Sequence, residues 1–559
     1  MNITKLSLTN FRSFKETQTI EFAPVTLLFG PNSVGKSSVL MALFYLQHIL
    51  AEGDCDPIYL EALGNKYIGG FKGLVHGRDL SKKITIRIDL AKGEEIGSSY
   101  TDTRELLEYE DWDELEWLYN LVDSSYSGDE FSLELTIAWS EQSKAAYVSM
   151  CKIWLKGIEF GSLEGQPGGL NSTISSLNYL HPMLIGDEHN EWLEECFDQM
   201  EDIHTANGSR TFATKGHQVP QAAFEDDDAD LDAIEEGLDD DLGLFPTFTD
   251  TAFASILHEM MNEPKIPESE RTNSTYMSVS NDAVFLHVPI SFESKAGCIP
   301  LLGKPLKTAL SFDGNIETAL VNELLTDAII PVFDNLLSLL EDSLCIGPLR
   351  HIPDTNYLPN PRPLQKDWYE GKAAWDALRS SDLERDCTIN QWLEDKDKLG
   401  LGYRLAYKTT EGQSRFIRPS MSIESVEDLL AVTDVDDSKL MMSISAENLD
   451  DNPDANQVDL DHGTLDEIRS KRSPDSDLYM GTEQFKDTDI TLWDVNNGID
   501  VSPSDIGVGV SQLFPLVVAA AITRRGVIAC EQPELHVHPR VQVGIGDLLT
   551  QVNNSPVYL

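Results

Sequence analysis

Apolar and polar positions alternate in Ile3 to Leu8 and again in Thr19 to Phe22, which predicts two strands around a turn made of Asn10, Phe11, Arg12, Ser13 and Phe14. The continuous apolar run Val25 to Phe29 predicts a third, buried strand, and Val39 to Leu50 predicts a helix. Between them lies the polar, glycine-bearing stretch FGPNSVGKSS. Further on, Ile84 to Leu90, Phe131 to Trp139 and Ala146 to Leu155 read as strands, and Ile316 to Leu344 as a helical stretch broken by Pro331. That stretch has no sustained heptads, so no long coiled-coil arm is encoded. Order returns at Thr491, with a buried helix from Leu513, a buried strand Gly526 to Cys530, and a last core strand in Ser555 to Leu559.

Strand, glycine turn and helix N-terminus in that order make a phosphate cradle. Gly30, Gly35, Lys36 and Ser37 fill the spacing GxxxxGK[ST]. Backbone N–H groups and the helix dipole face an anion, Lys36 adds a point charge, and the Ser37 hydroxyl is placed to hold Mg²⁺. ATP or GTP is the expected ligand, with Asn32, Ser33 and Ser38 completing the loop.

The chain of 559 residues is too long for one ordinary core. Acidic residues number 94 against 42 basic ones, a net charge of −52. Such a surface repels polyanions, which argues against a general nucleic-acid-coating role while leaving room for one local basic groove. A salty cytoplasm or a basic partner would each account for it. Asp102 to Glu116 holds eight acidic residues among Leu106, Leu107, Trp112 and Leu115 and reads as an acidic amphipathic helix. Glu225 to Asp241 holds eleven acidic residues in seventeen and reads as a flexible, solvated insertion, or else as bait for a basic partner or a mimic of nucleic acid. Ser445 to Asp477 is a polar insertion whose Arg469, Lys471 and Arg472 make too thin a cluster for DNA. The seven cysteines are scattered and never in CxxC spacing, which speaks for a reducing compartment. The N-terminus has no apolar h-region and no run is long enough to span a membrane, so a cytoplasmic location is expected.

The opening strand, NFRSF, second strand and GPNSVGKS resemble the start of the RecF, SMC and OLD-like branch of ABC-type AAA-family ATPases. The resemblance implies an α/β fold, a split ABC-type P-loop ATPase head with a mixed sheet and flanking helices, interrupted by a large α+β and helical insertion. Its expected parts are an N-terminal lobe (1–95), an insertion (96–344), a return segment (345–444), a polar insertion (445–486) and a C-terminal lobe (487–559). In that branch the residues around Asn10 to Ser13 lie near adenine and ribose, so Arg12 is a candidate ATP contact, against the alternative of a surface arginine. The γ-phosphate sensor, usually a Gln after the first helix, is unassigned here. Near Tyr67 to His76 there is no Gln, and Gln47 comes too early.

Gly347, Pro348, Leu349 and Arg350 resemble the GPLR segment of defence-associated bacterial ATPases of the same branch. Arg350 is expected to reach a nucleotide or the facing subunit, or else to pair with a carboxylate. Asp505 to Gln512, DIGVGVSQ, resembles the signature turn that caps the γ-phosphate of the opposite subunit, although it departs from LSGGQ. By that resemblance Gly509, Ser511 and Gln512 contact ATP. Glu531, Gln532, Pro533 and Glu534, with His536 and His538, resemble the EEPELHLHP pattern that joins the metal carboxylate, the catalytic position and the D-loop. Glu531 would then hold Mg²⁺ with Ser37. Gln532 stands where the family carries its general base, and an amide cannot accept a proton from water. A substitution that traps ATP, a natural slow site, or a base supplied by Glu534 remain open; all three imply tight ATP binding and slow hydrolysis. The branch carries a switch histidine and an extension after the last strand, so the site is expected to draw on residues beyond Leu559.

The function implied is an ATPase that forms a homodimer around two ATP molecules and switches an effector protein, a nuclease or toxin, in anti-phage defence or DNA maintenance. The alternative is a slow or inactive ATP-bound scaffold that holds a basic partner through its acidic insertions. No TOPRIM-type module is visible, so nuclease activity is not assigned to this chain, and nothing suggests a membrane partner.

Overall fold

In the computed structural model the described residues are 2–31, 35–91, 130–168, 171–178, 181, 210–213, 276–280, 283–287, 290–308, 316–353, 357, 359–379, 382–408, 414–416, 489–523, 525–551 and 557–558. The acidic stretches 102–116 and 225–241 and the polar insertion 445–477 lie outside them, as do Asn32 and Ser33. The chain forms two units, Met1–Cys345 with Arg524–Ala529 and Ser555–Leu559, and Ile346–Thr523 with Cys530–Asn554.

The first unit is built on an antiparallel sheet. Its strands include β1 (Asn2–Thr9), β2 (Gln18–Glu21), β3 (Ile84–Ala91), β4 (Glu130–Ser140), β5 (Ala145–Leu155), β6 (Ile158–Glu164) and β7 (Asn171–Asn178). They lie in the order β7-β6-β5-β4-β3-β1-β2, and further short strands extend the sheet beyond β7. Alternation dictates the burial: Ile84, Ile86, Ile88 and Leu90 of β3 face the core, as do Ile3, Leu6 and Leu8 of β1. On the opposite face, Arg87 stacks 4.1 Å over the Trp154 ring.

Helix α1 (Lys36–Glu52) is apolar almost all round and is buried from Ser38 to Leu46, as a helix of that composition must be. Gly53 closes it in the left-handed conformation at φ 75, its N–H donating to Ile49 O. Against it packs α2 (Ile316–Glu341). The sequence predicts a break at Pro331, yet α2 runs through it. Ile329, Ile330, Val332 and Phe333 are all fully buried, and this burial outweighs the hydrogen bond that proline removes, a loss of about 3 kcal/mol.

A second correction concerns Val25 to Phe29. This run is no strand of any sheet, and Leu27 and Phe29 are exposed by 62% and 85%. Both edges of β1 are taken, by β2 and β3. Pro24 lacks an N–H, and Thr26 Oγ1 accepts from Ala23 N–H at 3.0 Å and donates to Ala23 O at 3.2 Å, so local bonds replace ladder bonds.

His181 is fully buried in this unit, beside Leu155 O at 3.2 Å and edge-on to Phe160. Burial lowers its pKa to about 4. A base whose folded pKa is depressed stabilises the fold above its unfolded pKa of about 6.5 and loses that contribution as pH falls towards 4, here about 3 kcal/mol. Acid melts of the protein beside His181→Phe check this: the loss between pH 6.5 and 4 is expected to shrink in the variant, and equal losses would refute it.

The second unit contains α3 (Gln365–Tyr369), α4 (Lys372–Ala377), α5 (Leu383–Glu394), α6 (Val508–Ile522) and α7 (Pro539–Gln551). Helix α6 is buried from Ser511 to Ala520, and Phe514 stacks on Trp375 of α4 with ring centroids 4.2 Å apart. Around α5, which packs on α6, lies an antiparallel sheet that includes Tyr403–Lys408 and Asp489–Asp494. No helix among the described residues is long and apolar enough to cross a membrane.

Candidate nucleotide site

In the first unit the NFRSF turn and the glycine loop are one assembly. Phe11, fully buried, stacks on Tyr45 of α1 at 6.2 Å. The Arg12 guanidinium lies 2.9 Å from Met41 Sδ, half-buried, and desolvation lowers its pKa. A Cβ on Gly35, whose φ of 122 disfavours any other residue, would collide with Ser13 Oγ and approach Phe14 at 3.0 Å. Arg12 itself sits at φ 49, a left-handed backbone uncommon for arginine. It is pinned by its N–H to Leu74 O at 2.6 Å and by His76 Nδ1 at 2.8 Å from its carbonyl oxygen. The Tyr67 to His76 segment, which holds no glutamine, therefore supports the arginine turn.

Lys36 opens α1, and its Nζ donates to the carbonyl oxygens of Gly30 and Pro31, folding the ammonium over the loop. Ser37 is exposed at the helix start, whereas Ser38 is buried, its N–H donating to Gly35 O at 2.9 Å. Thus Arg12, Gly30, Gly35, Lys36 and Ser37 come together on this unit. A positive helix end, an ammonium and an exposed hydroxyl suit a nucleotide phosphate with Mg²⁺.

The second unit gathers the other candidates. Gly507 precedes α6; it and Val508 are exposed, and Gly509 is half-buried. Ser511 and Gln512 are placed inside the unit and not at that surface. Ser511 Oγ donates back to Gly507 O at 3.3 Å, and both polar atoms of the Gln512 amide bond the backbone of Arg350. Exposed anion-binding capacity at this turn therefore rests with the first-turn N–H groups. A Cβ on Gly509 would stand 2.7 Å from His536 O. Gly509→Ala is expected to destabilise by about 1–3 kcal/mol through overpacking, measured by urea unfolding. An unchanged midpoint would show that the turn has room to spare.

Glu531 is half-buried at the end of the strand Val527–Cys530, its N–H donating to Ile346 O at 2.8 Å and its Oε2 accepting from Tyr369 OH at 3.4 Å. No sequence signal pointed to Tyr369. Gln532 and Glu534 are exposed, and Gln532 sits at φ 52, a left-handed backbone that costs a non-glycine residue energy. His536 is left-handed too, at φ 61. His538 Nδ1 accepts from Arg540 N–H at 3.2 Å.

Arg350 corrects the sequence reading. It reaches neither a nucleotide surface nor a carboxylate among the described residues. At 5% exposure it donates to the carbonyl oxygens of Gly347, Gln512 and Glu531 and to Cys530 Sγ. Burial raises the Cys530 pKa to about 11, outweighing the nearby guanidinium, so this sulfur is an uncharged thiol.

Residues 1–125 match the model of an AAA ATPase domain. A stretch of 45 residues is 44% identical to the DNA replication and repair protein RecF of Desulforamulus reducens, covering 8% of this chain and 12% of that relative. The Smc head domain with an extended coiled coil, bound to the C-terminal domain of ScpA, from Pyrococcus furiosus aligns over 100% of this chain and 88% of that one. Its identity is 9% and its TM-score 0.29, a weak likeness. The two sequence likenesses, to AAA ATPase domains over residues 1–125 and to RecF over 45 residues, are likenesses of part of the chain.

Proposed function

We propose that this protein binds ATP and Mg²⁺ at the Gly30 to Ser37 loop, pairs with a second copy of itself around the nucleotide, and thereby switches a partner effector. The phosphate loop carries the reading: Lys36 folded over the loop, Ser37 exposed at the start of α1, and Gly35 clasped by the Ser13 and Phe14 turn. The fit to nucleotide follows from these donors. Lys36 and the helix end would bind the phosphates, while Ser37 would hold Mg²⁺, which neutralises charge on the transferring phosphoryl group when bound. Arg12 would lie against the base or ribose, and the Gly507–Gly509 turn would meet the nucleotide of the second copy.

Gln532 supports a switch held in its ATP-bound state more than a rapid hydrolase, because its amide orients water without taking a proton. The effector, a nuclease or toxin in anti-phage defence or DNA maintenance in the cytoplasm, follows from the GPLR resemblance and from the RecF relative's role in DNA replication and repair. The same glutamine favours the second reading, a non-hydrolysing scaffold whose acidic charge holds a basic protein. A basic protein that co-purifies and is shed at high salt would select it. Titration with a fluorescent ATP analogue, with and without Mg²⁺ and competed by ATP or GTP, tests the proposal. Saturable, Mg²⁺-dependent binding displaced by ATP is expected, and its absence would end the reading.

A further inference from the structure

A buried guanidinium is tolerated only where its donors are met. Arg350 meets its own with main-chain oxygens from its own segment and two distant ones: Nε donates to Gly347 O at 3.0 Å, Nη1 to Gln512 O, and Nη2 to Glu531 O at 3.1 Å. Its backbone closes a reciprocal pair with the Gln512 side chain, N–H to Oε1 at 3.2 Å and Nε2 to the Arg350 carbonyl at 2.9 Å. The partners lie 162 and 181 residues away in sequence, at the start of α6 and at the strand end that carries Glu531 and Gln532. The 2.7 Å approach of a Gly509 Cβ to His536 O shows these two segments touching again, one turn nearer the surface.

We propose that Arg350 is a positioning residue that locks the Gly507–Gln512 turn to the Glu531–Val537 segment, so that a displacement of either segment is passed to the other. The inference rests on the functional reading above for its purpose, though not for its geometry. A planar fork with several charge-assisted donors suits three carbonyls at fixed angles, whereas a lysine offers one point charge.

Amide hydrogen exchange of the full chain tests it, comparing wild type with Arg350→Lys and Gln512→Leu. Without nucleotide, each variant is expected to exchange at least tenfold faster at both 507–512 and 531–537, with α5 unchanged. With ATP and Mg²⁺, the Arg350→Lys affinity is expected within threefold of wild type, while ATP-induced protection of 507–512 is lost. Uniformly faster exchange across the second unit would make Arg350 an ordinary structural residue and overturn the proposal. So would faster exchange at only one of the two segments, or wild-type protection in the variant. If wild type binds no ATP, the functional reading fails on that result, and the nucleotide-free exchange still decides whether the lock exists.

Discussion

Gln532→Glu is expected to raise single-turnover ATP hydrolysis by about 10²–10⁴-fold, the usual contribution of a positioned general base. The Glu531 main chain is held on both sides, its N–H by Ile346 O and its carbonyl by Arg350, so the next residue projects from a fixed point. Gln532 is exposed there in a left-handed backbone, which a packed and unspecialised surface position would have little reason to keep. Glutamate is nearly isosteric with glutamine, so the substitution changes proton affinity and charge while leaving the space unchanged. Equal and negligible turnover in the two proteins would assign the block elsewhere and favour the scaffold reading.

Lys36→Ala is expected to weaken ATP binding by about 10- to 150-fold, the range for losing a hydrogen bond to a charged group, about 1.5–3 kcal/mol. Its ammonium lies over the loop carbonyls of Gly30 and Pro31, and its side chain is no part of the apolar packing of α1. The melting transition is therefore expected to move by no more than about 0.5 kcal/mol equivalent. Unaltered affinity with an unaltered melt would remove the loop from the binding account altogether.

Periodicity made part of this molecule legible in advance. Strands β1 and β3 and helix α1 stand where alternation and apolar runs set them, because their burial follows from their own residues. Val25 to Phe29 misled because an apolar run reports burial only if a sheet edge is free, and here Pro24 and the Thr26 side chain turn the chain to local bonds. Pro331 misled in the opposite direction, since the burial that carries α2 through it comes from tertiary packing that no local rule contains.

The candidate site was legible in the same uneven way. Resemblance brought NFRSF to the glycine loop, and Gly35 against Ser13 is the physical form of that neighbourhood. For Gln512 the signal was present but read differently. An amide followed directly by the apolar run Leu513 to Ala520 stands on a buried face, and a buried amide must find partners. Arg350 offered no such cue, because the carbonyls that satisfy it come from segments with no pattern in common.

If ATP joins two copies of the chain, sedimentation of the protein with and without saturating ATP and Mg²⁺ reads the joining as a change of mass. A shift from one-chain to two-chain mass that requires nucleotide and is lost in Lys36→Ala is the expected result. A one-chain mass that persists while ATP is demonstrably bound would contradict it.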